Sequence, residues 1–469
     1  MKNKILLIAI CLILLLVNGC KKNTPIEEEC QCTEGVWVFP EGTKCLEEVY
    51  AECRCIKCNQ VMEYAPKVKY HEKIVEEKEP TCGEDGYLKE TCANCDYSYQ
   101  INFPKTDEHN MEYRIIRKAT DKQYGLKQAV CTSCDKSTGS VPFIANGVSD
   151  HGKLSVNGRD LVDENNEKFQ LLGISTHGLQ WFGHYVNFDT FDALHNTFGI
   201  NVIRLSLTTA EGGYCESNDE KKEYFYQLVA EGIKIATKLD MYVIVDWHMV
   251  GAEDDKDKNP LTYKDEAVQF FSRLSAEFKD YNNILYEIMN EPNGPTTWND
   301  CKTYANLVIP EIRKNTDAII LVGSTQWSSN LNAVMQSPLE GYDNIMYTYH
   351  FYAATHYSTS VLANAYDKGL PVFVSEHGGM DSSGDGDINY TNIESWYHVL
   401  DSRNISYVAW NLSNSKGTSS ILKQFTTSLT DFSDNALKEW GIYYKNHVRE
   451  RFNFPDLYDK NNQWLKKTL

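Results

Sequence analysis

The sequence predicts an α/β protein, a (β/α)8 TIM barrel preceded by a small cysteine-rich repeat region, and three observations carry that prediction. From about residue 150 onward short apolar runs alternate with amphipathic helical stretches, there are eight such runs, and twelve of the 15 cysteines fall between Cys20 and Cys134. Alternation of strand and helix is what a parallel sheet requires, and eight units in roughly 300 residues suit a closed barrel. A doubly wound open sheet is the alternative, but no glycine-rich phosphate loop follows the first run.

Residues 1–19 read as a lipoprotein signal peptide. Lys2 and Lys4 precede an apolar run, Ile5 to Val17, that is too short to cross a bilayer of about 30 Å as a helix. It ends Leu16-Val17-Asn18-Gly19-Cys20, the layout of a bacterial lipobox, in which the cysteine becomes the lipidated first residue. The chain is therefore expected to be exported, held to a membrane through a lipid on Cys20, and either displayed on the bacterial cell surface or secreted.

Residues 20–140 are expected to form the cysteine-rich module. Cys45, Cys55 and Cys58 are spaced C-x9-C-x2-C, and Cys82, Cys92 and Cys95 repeat that spacing; a third copy, Asp121…Cys131-x2-Cys134, has Asp in the first place. Units this small cannot build a core, so a covalent or metallic link must hold them. Two chemistries fit: a Cys3His zinc site from His71, Cys82, Cys92 and Cys95, or disulfides, which an exported location favours. Neither gives the module chemistry of its own, and it reads as a stalk or interaction module.

The catalytic barrel is placed at 150–450. Its expected strands are Phe169–Ile174, Asn201–Leu207, Met241–Asp246, Ile284–Met289, Ala318–Val322, Ile345–Tyr349, Pro371–Ser375 and Ser406–Trp410. Helical periodicity marks Glu220–Leu239, Ala267–Lys279, Thr303–Asn315 and Ile393–Arg403, with an eighth helix around Asp434–Arg449 and a tail at 451–469.

The formal net charge of −19 excludes nucleic acid and bare anionic headgroups as partners, because both would be repelled. A neutral substrate fits, and an aromatic content of 12% supplies flat apolar faces on which sugar rings can stack. Nothing in the pattern calls for a second copy, and a monomer is expected.

Two carboxylates stand out by position. Glu291 lies just past the fourth strand and Glu376 at the end of the seventh, so both should face the barrel mouth, where such folds keep their chemistry. A carboxyl pair in one cleft is what glycosidic cleavage needs: one protonates the departing oxygen and the other attacks or stabilises the positive sugar carbon. Other polar side chains sit at strand ends: His177, Arg204, Asp246-Trp247-His248, His350, Tyr352 and Trp410. An arginine inside an apolar strand needs an acidic partner, so Arg204 implies one at the barrel top.

These stretches resemble the family 5 glycoside hydrolases, particularly the bacterial endo-β-1,4-glucanases. The resemblance runs in order through LLGISTHGLQWFG (171–183), NVIRLSL (201–207), YVIVDWH (242–248), ILYEIMNEPNG (284–294), YTYHFYAATH (347–356), PVFVSEHG (371–378) and YVAWNLSN (407–414). It implies a retaining double displacement on β-1,4-glucosidic bonds, with Glu291 as acid/base and Glu376 as nucleophile. It further implies that Arg204 and Tyr352 keep Glu376 ionised while burial keeps Glu291 protonated, and that Asn290 binds the 2-hydroxyl. His248 and His350 would orient sugar and acid/base, Trp410 would floor the cleft, Trp181 and Trp327 would be stacking platforms, and Lys416 and His177 would bind the non-reducing side. Relatives in that family carry an aromatic residue directly after the nucleophile, where this chain has His377. The acidic loops Glu253-Asp254-Asp255 and Asp381…Asp385…Asp387 do not match a calcium-binding loop, so no metal is assigned to the barrel and no cofactor to the reaction. Glucomannan or xyloglucan hydrolysis by the same machinery, or a non-catalytic surface carbohydrate-binding role, are the alternative functions.

Overall fold

The computed structural model describes residues 35–39, 45–57, 59–65, 68–107, 109–119, 125–251 and 256–454. The expected signal peptide, the lipidation site Cys20, Cys58 and the tail beyond 454 lie outside them. The chain divides into two compact units, one from Met1–Met111 with Val130–Ser137, the other from Glu112–Ala129 with Thr138–Leu469.

The larger unit is the expected barrel. Eight parallel strands close on themselves in sequence order: β1 (Leu172–Thr176), β2 (Val202–Thr208), β3 (Tyr242–His248), β4 (Ile284–Glu287), β5 (Ile320–Val322), β6 (Ile345–Tyr352), β7 (Val372–Gly378) and β8 (Tyr407–Leu412). Helices follow them: α1 (Phe188–Phe198), α2 (Asp219–Lys238), α3 (Lys264–Glu277), α4 (Trp298–Arg313), α5 (Leu331–Gln336), α6 (Ser360–Asp367), α7 (Tyr390–Ser402) and α8 (Glu439–Arg451). Their starts are coded locally. Asn187 and Asn218 accept backbone hydrogen bonds at the heads of α1 and α2, and Thr297 with Asp300 forms a capping box on α4.

Side chains alternate across each strand, and the alternation explains the two cores. On β3, Val243, Val245 and Trp247 point outward to the helices, where they join the large outer core. Tyr242 and Ile244 point inward and meet Val202, Leu285, Leu321, Met346, Phe373 and Val408 in a separate inner cluster, closed from below by Leu154, Leu161 and Phe169 around the hairpin Ser155–Val162. One layer higher the inward residues turn polar: Arg204, Asp246, Glu287, Thr348 and Ser375 are all fully buried. The change from apolar filling to charge along the same inward face marks the floor of the site.

A β-bulge sets the seventh strand apart. The register of β6 on β7 runs Thr348↔Phe373 and then His350↔Glu376, so β7 carries one extra residue. Strict alternation from Phe373 would turn Glu376 away from the interior. The bulge lets Ser375 and Glu376 both face the mouth and sends His377 outward, a re-aiming that bulges at barrel rims often perform.

In the smaller unit, Gly35–Val38, Glu52–Cys55 and Val61–Tyr64 form one three-stranded sheet, and Lys73–Lys78, Gly86–Cys92 and Ser98–Phe103 another. Lys73–Lys78 is exposed throughout, so the unit has little core. The zinc set expected from His71, Cys82, Cys92 and Cys95 needs one correction. His71, Cys92 and Cys95 do converge, but their fourth partner is Cys45, while Cys82 lies with His109, Cys131 and Cys134. The strand Gly86–Cys92 is the reason, because seven extended residues span about 20 Å and hold Cys82 and Cys92 at opposite ends.

Candidate active site

Arg204 is the hub of the barrel mouth. Its Nε donates to Glu287 Oε2 at 2.7 Å and its Nη2 to Glu287 Oε1 at 3.2 Å, while Nη2 also donates to Asn290 Oδ1 at 2.7 Å. Nη1 donates to Ser175 Oγ at 3.2 Å and to Glu376 Oε2 at 3.3 Å, and Asp246 Oδ2 lies 3.0 Å from Nη2. The acidic partner that Arg204 implies is thus threefold. Burial disfavours the guanidinium charge, but Asp246, Glu287 and Glu376 outweigh it and raise its pKa.

Glu291 enters through His350, whose Nδ1 lies 2.8 Å from Glu291 Oε1. His350 Nε2 lies 2.9 Å from Ser375 Oγ, and Ser375 donates its one proton to Glu287 Oε1 at 2.7 Å. Ser375 therefore accepts from Nε2–H, which fixes one imidazole proton and leaves the other in the bond to Glu291. Burial works against a charge on His350, yet the carboxylates of Glu287, 3.8 Å from Nε2, and of Glu291 carry its pKa up to about 10. Burial likewise opposes ionisation of Glu287, but Arg204 and His350 pull it down to about 2.

Glu376 accepts from Tyr352 Oη at 2.7 Å and from Arg204. One oxygen of Glu291, one of Glu376 and a ring nitrogen of His350 all lie within 4.8 Å of one another. Arg204 and Tyr352, which the resemblance implies keep Glu376 ionised, do both donate to it, but burial, then the charge of Glu291, raises its pKa against His350, Arg204 and His248. Charge counting explains the rise. Asp246, Glu287, Glu291 and Glu376 crowd around two cations, Arg204 and His350, and burial also pushes Asp246 well up. The cluster relieves this excess by retaining protons.

Asn290 is fully buried, with Nδ2 donating to Met249 O at 3.0 Å, and Glu291 N donates to Met249 O at 3.1 Å. His248 Nδ1 bonds Asp246 Oδ2 at 2.7 Å, and burial takes its pKa down to about 4, so it stays neutral. The half-buried Trp410 stacks on His248 with ring centroids 5.1 Å apart and planes at 9°, and the His177 ring centroid lies 5.2 Å from that of Trp410, tilted by 39°. Burial lowers His177 to about 4 as well, and its Nδ1 accepts from Gly178 N.

Trp181 and Trp327 stand out from the mouth, 49% and 53% exposed. Gln326, Trp327 and Ser328 all have left-handed φ values of 59°, 53° and 53°, a strained run for residues other than glycine. It is tied to the segment after β4 that carries Glu291: Trp327 N donates to Pro292 O at 3.1 Å and Ser328 Oγ donates to Asn290 O. Lys416 is exposed in the loop after β8, and its carbonyl accepts from Lys438 Nζ at 2.9 Å.

His377, in the place where an aromatic is expected, acts as one. It is fully buried among Phe351, Tyr397, Tyr407, Trp440 and Tyr444, its Nδ1 donates to Val408 O at 2.8 Å, and burial lowers its pKa to about 3. Sequence reasoning missed Glu287 and Ser375. A second charge inside an apolar strand was the available sign for Glu287, the same sign that singled out Arg204; Ser375 offers none.

Comparison with known proteins agrees with this geometry. The family model described as "Cellulase (glycosyl hydrolase family 5)" matches residues 162–416. The chain is 43% identical over 304 residues to endoglucanase A of Butyrivibrio fibrisolvens, covering 64% of this chain and 69% of that protein. It is 40% identical over 301 residues to an endoglucanase of Clostridium saccharobutylicum, covering 63% and 65%. Among solved structures, the catalytic domain of a Thermobifida fusca endoglucanase in complex with cellotetraose is similar, with 32% identity and a TM-score of 0.60 over 64% of this chain and 99% of that one. The chain belongs to glycosyl hydrolase family 5 and is a cellulase.

Proposed function

We propose that the barrel is a retaining endo-acting β-1,4-glucanase that cuts cellulose-like or mixed-linkage β-glucans, with Glu291 as acid/base and Glu376 as nucleophile. The observation that carries it is the convergence of Glu291, Glu376 and His350, with one ligand atom of each within 4.8 Å of the others, which supports the close carboxyl pair of a retaining enzyme over the wider pair, about 6.5 Å or more apart, of an inverting one. Endoglucanase relatives and the cellotetraose-bound neighbour support the polymer class.

In the first step Glu376 attacks the anomeric carbon, the glycosidic bond breaks, and its oxygen takes the proton held between Glu291 and His350. In the second, Glu291 accepts a proton from water, whose oxygen attacks the same carbon and releases Glu376. Arg204 and Tyr352 both donate to Glu376, so they favour its ionised form. Asn290, locked by Arg204 and Met249, is positioned for the 2-hydroxyl, and Trp410 with His248 gives the sugar a flat floor. Trp181 and Trp327 offer apolar faces for further rings of a polymer, and His177 and Lys416 are read as contacts on the non-reducing side. No cofactor enters these steps.

The chain is further read as an exported monomer anchored by lipid on Cys20, on the strength of the basic, apolar and Gly19-Cys20 segments of its first twenty residues. Reducing-sugar release from carboxymethylcellulose, mixed-linkage β-glucan, glucomannan and xylan by the full chain tests the function, with Glu376→Gln as control. Release from the two glucans that vanishes in the variant is expected; release greatest from glucomannan would move the substrate class, and none from any polymer by folded protein would refute hydrolysis.

A further inference from the structure

We propose that the cysteine-rich unit holds two structural zinc ions in Cys3His sites, Cys45–His71–Cys92–Cys95 and Cys82–His109–Cys131–Cys134, each built across two successive repeats so that the repeats are interlocked. In both sets the four ligand atoms lie within 4.8 Å of one another. Three thiolates and an imidazole form a closed set of soft and borderline donors, the donor chemistry of structural zinc.

The contacts fit a metal better than a bridge. None of the six cysteines is in a disulfide. Cys45 Sγ lies 3.3 Å from Cys92 Sγ, and Cys82 Sγ lies 3.2 Å from Cys131 Sγ. His71 Nδ1 lies 3.2 Å from Cys95 Sγ and 3.9 Å from Cys45 Sγ, and His109 Nδ1 lies 3.3 Å from Cys134 Sγ. A tetrahedron with zinc–sulfur bonds of about 2.3 Å has edges of roughly 3.8 Å, near these separations, whereas a sulfur–sulfur bond is about 2.05 Å.

Each C-x2-C pair also turns the same way: Asn94 N donates to Cys92 Sγ and Ser133 N to Cys131 Sγ, both at 3.4 Å. Amides aimed at sulfur stabilise thiolates and orient them. Gly83, beside Cys82, makes room for the second turn, since a Cβ there would sit 1.7 Å from Ser133 O.

The crossed arrangement accounts for the irregular third repeat. If each repeat closed its own site, Asp121 in the first position would break the third. In the crossed arrangement the first cysteine of a repeat serves the C-x2-C of the next one, and no further C-x2-C follows Cys134, so the third repeat has no use for a cysteine there.

The test is zinc per chain, by inductively coupled plasma mass spectrometry, on the purified full chain and two double variants. The wild-type is expected to carry at least two zinc ions, C45S/C95S to lose one, and C82S/C95S to lose two. A chain without zinc, equal losses in the two double variants, or the reversed pattern would overturn the proposal; closed single-repeat sites would cost C45S/C95S two ions and C82S/C95S one, and wholesale unfolding of the unit would cost both variants the same. Hydrolysis plays no part in this readout, so it stands or falls separately from the glucanase reading.

Discussion

Arg204 and Glu287 meet through two parallel hydrogen bonds, Nε to Oε2 at 2.7 Å and Nη2 to Oε1 at 3.2 Å, at a point where neither side chain touches water. Taking two ions out of water is costly and is recovered only when geometry and charge are well matched. Removing one partner leaves the other buried and under-compensated. Glu287→Gln is therefore expected to destabilise the barrel by about 3 kcal/mol, and to lower kcat by loosening Arg204's hold on Asn290 and Glu376. Urea denaturation and kcat on carboxymethylcellulose check both; a variant as stable as the wild-type would show that the pair is a bystander.

His350 gives the site a pH signature. Its pKa is raised to about 10, so the folded state binds its proton more tightly than the unfolded state. The stability this contributes is complete below the ordinary histidine value of 6.5 and is lost as pH rises toward about 10. His350→Gln should thus flatten the decline in urea midpoint between those limits, and lower kcat by roughly 10- to 100-fold by unseating the acid/base. An unchanged alkaline slope in the variant would contradict this assignment.

His377 has the opposite sign. Burial lowers its pKa to about 3, so the unfolded state takes up the proton first and stability falls as pH drops from 6.5 toward about 3. His377→Phe keeps the ring but leaves Val408 O without its donor, an expected loss of about 1–3 kcal/mol at neutral pH. That deficit should shrink on acidification, while the kcat profile keeps its shape. A deficit constant with pH would mean that His377 is not the buried neutral ring described here.

The sequence made the barrel legible because its strands are short apolar runs, and all eight lie where that pattern places them. Their upper ends are another matter. The expected strands stop at Asp246, Tyr349 and Ser375, whereas β3, β6 and β7 continue to His248, Tyr352 and Gly378, because the backbone ladder persists after the side chains turn polar. Hydrophobic periodicity reports packing and falls silent at the mouth, where the chemistry begins. The bulge that turns Glu376 inward leaves no mark in composition, and neither does the crossing of the cysteine repeats, since spacing along the chain does not reveal which ends of a hairpin meet. Arg204 was legible for the reason that Glu287 could have been: a charge inside an apolar strand demands a partner.

The central claim is double displacement by Glu376 with Glu291 as acid/base, and the stereochemistry of the first product tests it most directly. Proton NMR during the first minutes of β-glucan hydrolysis distinguishes the newly formed anomer before mutarotation mixes the two. The account predicts that the β-anomer appears first, with the configuration of the cleaved bond retained. First appearance of the α-anomer would mean a single displacement by water and would contradict it.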